Sequence, residues 1–130
     1  MTQKDRELLL RDLCARLPYG VIVLTPNGSG HVCEINFTIF GYELGVNINP
    51  IIRDTFSIND VKPYLFPLSS MTEEQEEEYN DLNSYELGCF ELGCFPHTEE
   101  ALDYLIKNHF DYRGLIPMGL AFDATGLNIY

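Results

Sequence analysis

The sequence predicts an α+β domain: an N-terminal helix, then a small antiparallel sheet or partly closed barrel, then two C-terminal helices covering one face. Three observations carry this expectation. Leucines near the start recur at helical spacing, residues 21–58 alternate apolar and polar side chains with a period of two, and residues 70–110 return to helical spacing behind recognisable caps. At 130 residues the chain has the length of one domain, 1–130, and 45% hydrophobic residues provide apolar surface to offset the entropy of ordering it.

Residues 3–17 place Leu10, Leu13, Cys14 and Leu17 at i, i+3, i+4 and i+7. Thr2 is available as a cap, Glu7 with Arg11 and Asp12 with Arg16 form i,i+4 pairs, and Pro18 and Gly20 end the helix. A β-branched run at 21–24 leads into the turn sequence Pro-Asn-Gly-Ser-Gly. Alternation then sets His31, Cys33, Ile35, Phe37 and Ile39 on one face, which makes Cys33 a core residue. Beyond Gly41 the alternation resumes with Tyr42, Leu44, Val46 and Ile48, and a short strand fits 54–58. A brief turn at Asn59 is stopped by Pro63.

The second helix has Ser70 as cap with Glu73 three residues on, and an inward stripe of Met71, Gln75, Tyr79 and Leu82. The third has Thr98 as cap, Glu99 and Glu100 in its first turn, and Ala101, Leu102, Leu105, Ile106 and Phe110 toward the core, with Gly114 as its stop. The tail, 115–130, is apolar enough to pack, as a short strand or a hairpin turning at Thr125 and Gly126.

Eight basic against twenty acidic residues give a net charge of −12, which argues against direct binding to a nucleic-acid backbone and permits a basic protein partner. The first residues lack the apolar run of a secretory signal, and no stretch approaches a membrane span, so a cytoplasmic chain with its four cysteines as thiols is expected. Glu73, Glu74, Glu76, Glu77, Glu78 and Asp81 crowd one helix with no base between them; such a run is usually a solvated face, and it is also the form of an acidic interaction surface.

Residues 85–95 contain ELGCF twice in succession. Cys89, Cys94 and His97 have the wrong spacing for a structural zinc site, and the unchanged repeat reads as a local duplication, so no metal is expected. The copy adds Leu87, Phe90, Leu92 and Phe95 to a connecting segment, where they must be buried in the fold or against a partner. No nucleophile elbow or phosphate-binding loop occurs, and no cofactor is expected. The one segment that concentrates polar and aromatic groups is HFDYRG, whose His109, Asp111, Tyr112 and Arg113 are candidates to line a pocket.

Three stretches, LCARLPYGV (13–21), DVKPYLFPLSSMTEEQEEEY (60–79) and DYLIKNHFDYRGLIPMGLA (103–121), resemble uncharacterised small proteins encoded in prophages and mobile elements of Bacteroides-type gut bacteria. The likeness covers 48 of the 130 residues, over a third of the chain. It implies no catalytic role for any residue. Phe66, where a basic residue is expected, and the doubled ELGCF depart from the pattern. Two functions follow as expectations: a non-enzymatic accessory protein acting through a protein partner or self-association, and, competing with it, a small ligand-binding or enzymatic domain using residues 109–114.

Overall fold

The computed structural model describes residues 1–39, 41–48, 51–83 and 98–130. The doubled ELGCF, with Leu87, Cys89, Phe90, Leu92, Cys94, Phe95 and His97, lies outside the described residues, and so do the expectations attached to it.

Helix α1 spans Gln3–Arg16. Thr2 caps it reciprocally: its hydroxyl accepts the Asp5 N–H (3.1 Å), and the Asp5 carboxylate accepts the Thr2 N–H (3.2 Å). The chain leaves through a 3₁₀ turn, Leu17–Tyr19, and Gly20 at φ 69°. The buried stripe is Leu9, Asp12, Leu13 and Arg16; of the expected Leu10, Leu13, Cys14 and Leu17, Leu13 is buried and Leu10 and Leu17 pack at the edge of the core. Asp12 and Arg16 neutralise one another along the helix, so an ion pair can occupy inward positions, while Cys14 is exposed.

Six strands follow: β1 Ile22–Thr25, β2 Gly28–Thr38, β3 Gly41–Asn47, β4 Arg53–Ser57, β5 Lys62–Leu65 and β6 Phe122–Asp123. Their order is β4-β3-β2-β1-β5-β6, antiparallel except for the β5/β6 pair. The sheet is open, with β4 and β6 as edges and no pairing between them among the described residues, so the architecture is α+β without the closure that a barrel needs. Strand β5 runs through Pro63, which the sequence reading took as a stop; Pro63 sits opposite Val23.

A β-bulge decides which side chains of β2 face inward. Val32 pairs with Val46, then the register shifts so that Glu34 pairs with Gly45 and Ile35 with Leu44. Cys33 is the extra residue. The shift turns Val32 and Ile35 to the same core, and leaves Cys33 exposed with its thiol 3.2 Å from the Gly45 carbonyl. Strict alternation therefore misplaced Cys33. Gly45 also has a task on the outer face: a Cβ there would lie 2.8 Å from Glu34 Cγ and 3.0 Å from Arg53 Nη2, so its bare backbone lets the Glu34–Arg53 ion pair cross β3.

Helix α2 spans Glu73–Leu82 and α3 spans Glu99–Lys107. The α2 cap is Thr72, whose hydroxyl accepts the Gln75 N–H (3.2 Å) while Gln75 Oε1 accepts the Thr72 N–H (3.0 Å). Ser70, the expected cap, belongs to a preceding 3₁₀ turn and donates to the Pro67 carbonyl at 2.6 Å. Met71 and Tyr79 are buried as expected, whereas Leu82 is exposed. Thr98 caps α3 as the sequence predicts and also donates to the Leu82 carbonyl (2.7 Å), tying the end of α2 to the start of α3.

Two cores result. Leu9 and Leu13 of α1 pack with Val21, Val23, Val32, Leu44, Val46, Phe56, Leu115 and Leu120, so α1 is the helix that covers the sheet. Met71, Tyr79, Ala101, Leu105 and Phe110 form a second cluster in which α2 and α3 pack on each other beside Phe66 and Leu68. The expected cover of one sheet face by the two later helices is replaced by this side-by-side arrangement.

Candidate functional site

The end of α3 sets the geometry of the 109–114 segment. The His109 N–H reaches the Ile106 carbonyl (3.1 Å) and the Phe110 N–H reaches the Leu105 carbonyl (2.9 Å), the paired bonds of a Schellman motif. This motif, and not Gly114, terminates the helix. Its left-handed position, normally glycine, is held by His109 at φ 63°. Phe66 then grips the chain, receiving and returning bonds with residues 109 and 111 at 2.8 Å each.

His109 is 8% exposed, and its ring lies parallel to that of Tyr130, 3.7 Å between centroids and 14° between planes. The Tyr130 hydroxyl is fixed from two strands: it accepts the Ile22 N–H (2.9 Å) and donates to the Tyr64 carbonyl (2.7 Å). Burial first, then the Arg16 and His31 charges, pushes the His109 pKa down to about 4, so the imidazole is neutral at neutral pH. Burial likewise pushes the Tyr130 hydroxyl up to about 12.

The other three candidates of this segment turn away from His109. Asp111 is buried, its carboxylate accepting the Leu115 N–H (2.8 Å) and the Ile116 N–H (2.9 Å), which closes the following turn. Arg113 Nε stands 3.3 Å from Asp12 Oδ1, an ion pair without hydrogen-bond alignment. Asp12 is gripped more closely by Arg16, Nε to Oδ2 at 2.8 Å and Nη2 to Oδ1 at 3.2 Å, and Arg16 Nη2 also donates to the Phe110 carbonyl. Both guanidinium groups flank the Tyr112 ring, Arg113 at 4.8 Å and Arg16 at 5.8 Å from its centroid. Tyr112 and Arg113 thus form a structural cluster with α1, while Asp111 is used within its own turn. The α1 members of the cluster, Asp12 and Arg16, are visible in the sequence as an i,i+4 pair but not as a buried one.

His109 alone faces an open cleft of about 420 Å³, together with Phe66, Gln75, Lys107, Asn108 and Tyr130. Sequence reasoning missed Phe66, Gln75 and Tyr130 as neighbours, because each comes from a different segment, and missed Lys107 although it stands two residues before His109. Of the acidic residues on α2, Glu73, Glu74, Glu77, Glu78 and Asp81 are exposed and Glu76 is partly so. Glu78 reaches Tyr104, whose hydroxyl is pushed up to about 12 by burial first and then by that carboxylate.

At the far end of the sheet, the β2/β3 hairpin tip exposes Phe37 (75%), Ile39 (93%) and Tyr42 (42%), with the Phe37 and Tyr42 rings 5.0 Å apart. Among the described residues no group of three or more His, Cys, Asp or Glu is placed to hold a metal, and no helix is long and apolar enough to cross a membrane. Comparison of the chain with protein-family models, curated proteins and solved structures gives no match.

Proposed function

We propose that this chain is a non-enzymatic accessory protein of phage or mobile-element origin that works in the cytoplasm by binding another protein. The origin rests on the resemblance carried by residues 13–21, 60–79 and 103–121. The mode of action rests on one observation, the apolar hairpin tip. Ile39 stands almost bare and Phe37 is largely exposed beside Tyr42, and fully burying each against a partner is worth about 1.5–3 kcal/mol. Three neighbouring exposed apolar side chains at one tip differ from the scattered ones normal on a surface.

The chemistry of the partner follows from charge. At −12 two copies of the chain repel one another, which favours a different protein with a basic face over self-association. The exposed acids of α2 add to that field. The competing reading, an enzyme built on residues 109–114, keeps only His109, since Asp111 is held by the Leu115 and Ile116 N–H groups and Tyr112 and Arg113 pack with Arg16 and Asp12.

Affinity capture from the native host tests the proposal, comparing the parent with a Phe37→Ser/Ile39→Ser/Tyr42→Ser variant of unchanged melting temperature. The expected result is a stoichiometric partner held by the parent and lost from the variant. Equal capture by both proteins, or none by either, would reject the hairpin tip as the binding surface.

A further inference from the structure

The cleft beside His109 has a charge pattern opposite to that of the molecule. Twenty acidic residues are distributed over the chain, yet among the described residues none lines this cleft, and the one charged side chain lining it is Lys107. Among the described residues Lys107 has no carboxylate within ion-pair distance.

Gln75 sharpens the pattern. Residues 73–78 read Glu, Glu, Gln, Glu, Glu, Glu, and the single amide is the member that lines the cleft. Capping does not require it. Gln75 completes the capping box with Thr72, a position that glutamate fills equally well and where the helix dipole favours a negative charge. The amide costs the helix a favourable charge and spares the cleft an anion.

One part of the lining is aromatic, within a cleft that exposes more polar than apolar surface. The Tyr130 ring is 3.7 Å from His109 and 5.8 Å from Phe66, and its hydroxyl bonds hold the platform rigid. His109 supplies its ring from a left-handed backbone position that the Schellman bonds require and that glycine would fill without strain.

We propose that this cleft binds a small aromatic carboxylate, its ring against the Tyr130, His109 and Phe66 platform and its anion at Lys107 and the Gln75 amide. The site goes beyond the partner-binding function and stands independently of it, since no described residue of the hairpin tip lines the cleft. A ligand of a dozen heavy atoms in an open cleft of this kind should bind with Kd on the order of 0.1 mM.

Indole-3-acetate is a suitable probe, because the chain has no tryptophan and indole fluorescence reports the ligand alone. Titrating the full chain into the probe should raise its anisotropy saturably. Tryptamine, with the same ring and a cation, should not bind, and cyclohexylacetate, with the same anion and no aromatic ring, should not compete. Gln75→Glu keeps the cap and should weaken binding roughly tenfold or more, as should Lys107→Gln, the loss expected for a charged hydrogen bond. His109→Gly removes the ring, relieves the backbone, and should weaken binding to a similar degree. Near-ultraviolet circular dichroism of the tyrosines verifies that each variant is folded. No saturable binding up to millimolar protein, equal binding of tryptamine, competition by cyclohexylacetate, or unchanged affinity in any folded variant would overturn the assignment.

Discussion

Acidification should destabilise the protein through His109, by an amount the structure allows to be worked out. The ring is 8% exposed and has a pKa of about 4 against an ordinary value of 6.5, so the folded protein takes up this proton later than the unfolded chain does. Between those values the unfolded state binds more protons, and stability therefore falls as pH falls. The contribution is fully present above about pH 6.5 and is exhausted below about pH 4. Working through the two proton-binding polynomials gives a loss of about 2 kcal/mol between pH 7 and pH 5, and about 3 kcal/mol at the acid limit. In a domain whose whole stability is about 5–15 kcal/mol this is a large share.

The assay is urea unfolding of the parent and of His109→Gly at pH 7 and pH 5. The variant gives up the stack on Tyr130, worth about 0.5–1.5 kcal/mol beyond the buried area of the ring, and regains about 1 kcal/mol from the left-handed backbone, so with the cavity it leaves it should be the less stable of the two at pH 7. Contributions common to both proteins cancel in the difference. The parent should lose about 2 kcal/mol relative to the variant on going to pH 5. A difference that does not change with pH would refute the buried, neutral His109.

Asp12→Asn should cost about 3–5 kcal/mol, because it leaves the fully buried Arg16 guanidinium without its counter-charge, and adding Arg16→Met should recover most of that loss; urea melts of the single and double variants check both. In a Cys89→Ser/Cys94→Ser chain, Cys14 and Cys33 should both react with a thiol reagent while the protein stays folded, since both are exposed. Burial pushes the Cys14 thiol pKa up, so its labelling should accelerate as pH rises; protection of either thiol until unfolding would contradict the helix rotation or the bulge.

The elements that local chemistry specifies were legible in the sequence. Thr2 and Thr98 cap their helices as read, the alternation of 41–48 put Leu44 and Val46 inside, and the first four strands fall where the pattern sets them. The errors come from choices that local pattern leaves open. Ser70 with Glu73 and Thr72 with Gln75 are overlapping capping boxes, and the second forms because the Ser70 hydroxyl is engaged by Pro67. One extra residue at Cys33 inverts the parity of a strand, which no alternation count can announce.

The candidate site was less legible still. His109 was singled out with Asp111, Tyr112 and Arg113 because they are adjacent in sequence, but a left-handed residue followed by pairing with Phe66 sends them to different surroundings. The partners that give His109 its setting, Tyr130 and Gln75, are remote along the chain. Gln75 was noticed only as part of an inward stripe; that it interrupts an acidic run at the cleft becomes visible once α2 is placed beside the end of α3.

Protein binding through the hairpin tip is the central claim, and site-specific photocrosslinking in the native host tests it most directly. A benzophenone amino acid in place of Ile39, which is 93% exposed at the tip, should crosslink to one defined protein, while the same group in place of the exposed Glu100 at the start of α3 should not. Absence of a crosslinked species at position 39, or the same set of species from both positions, would contradict the account.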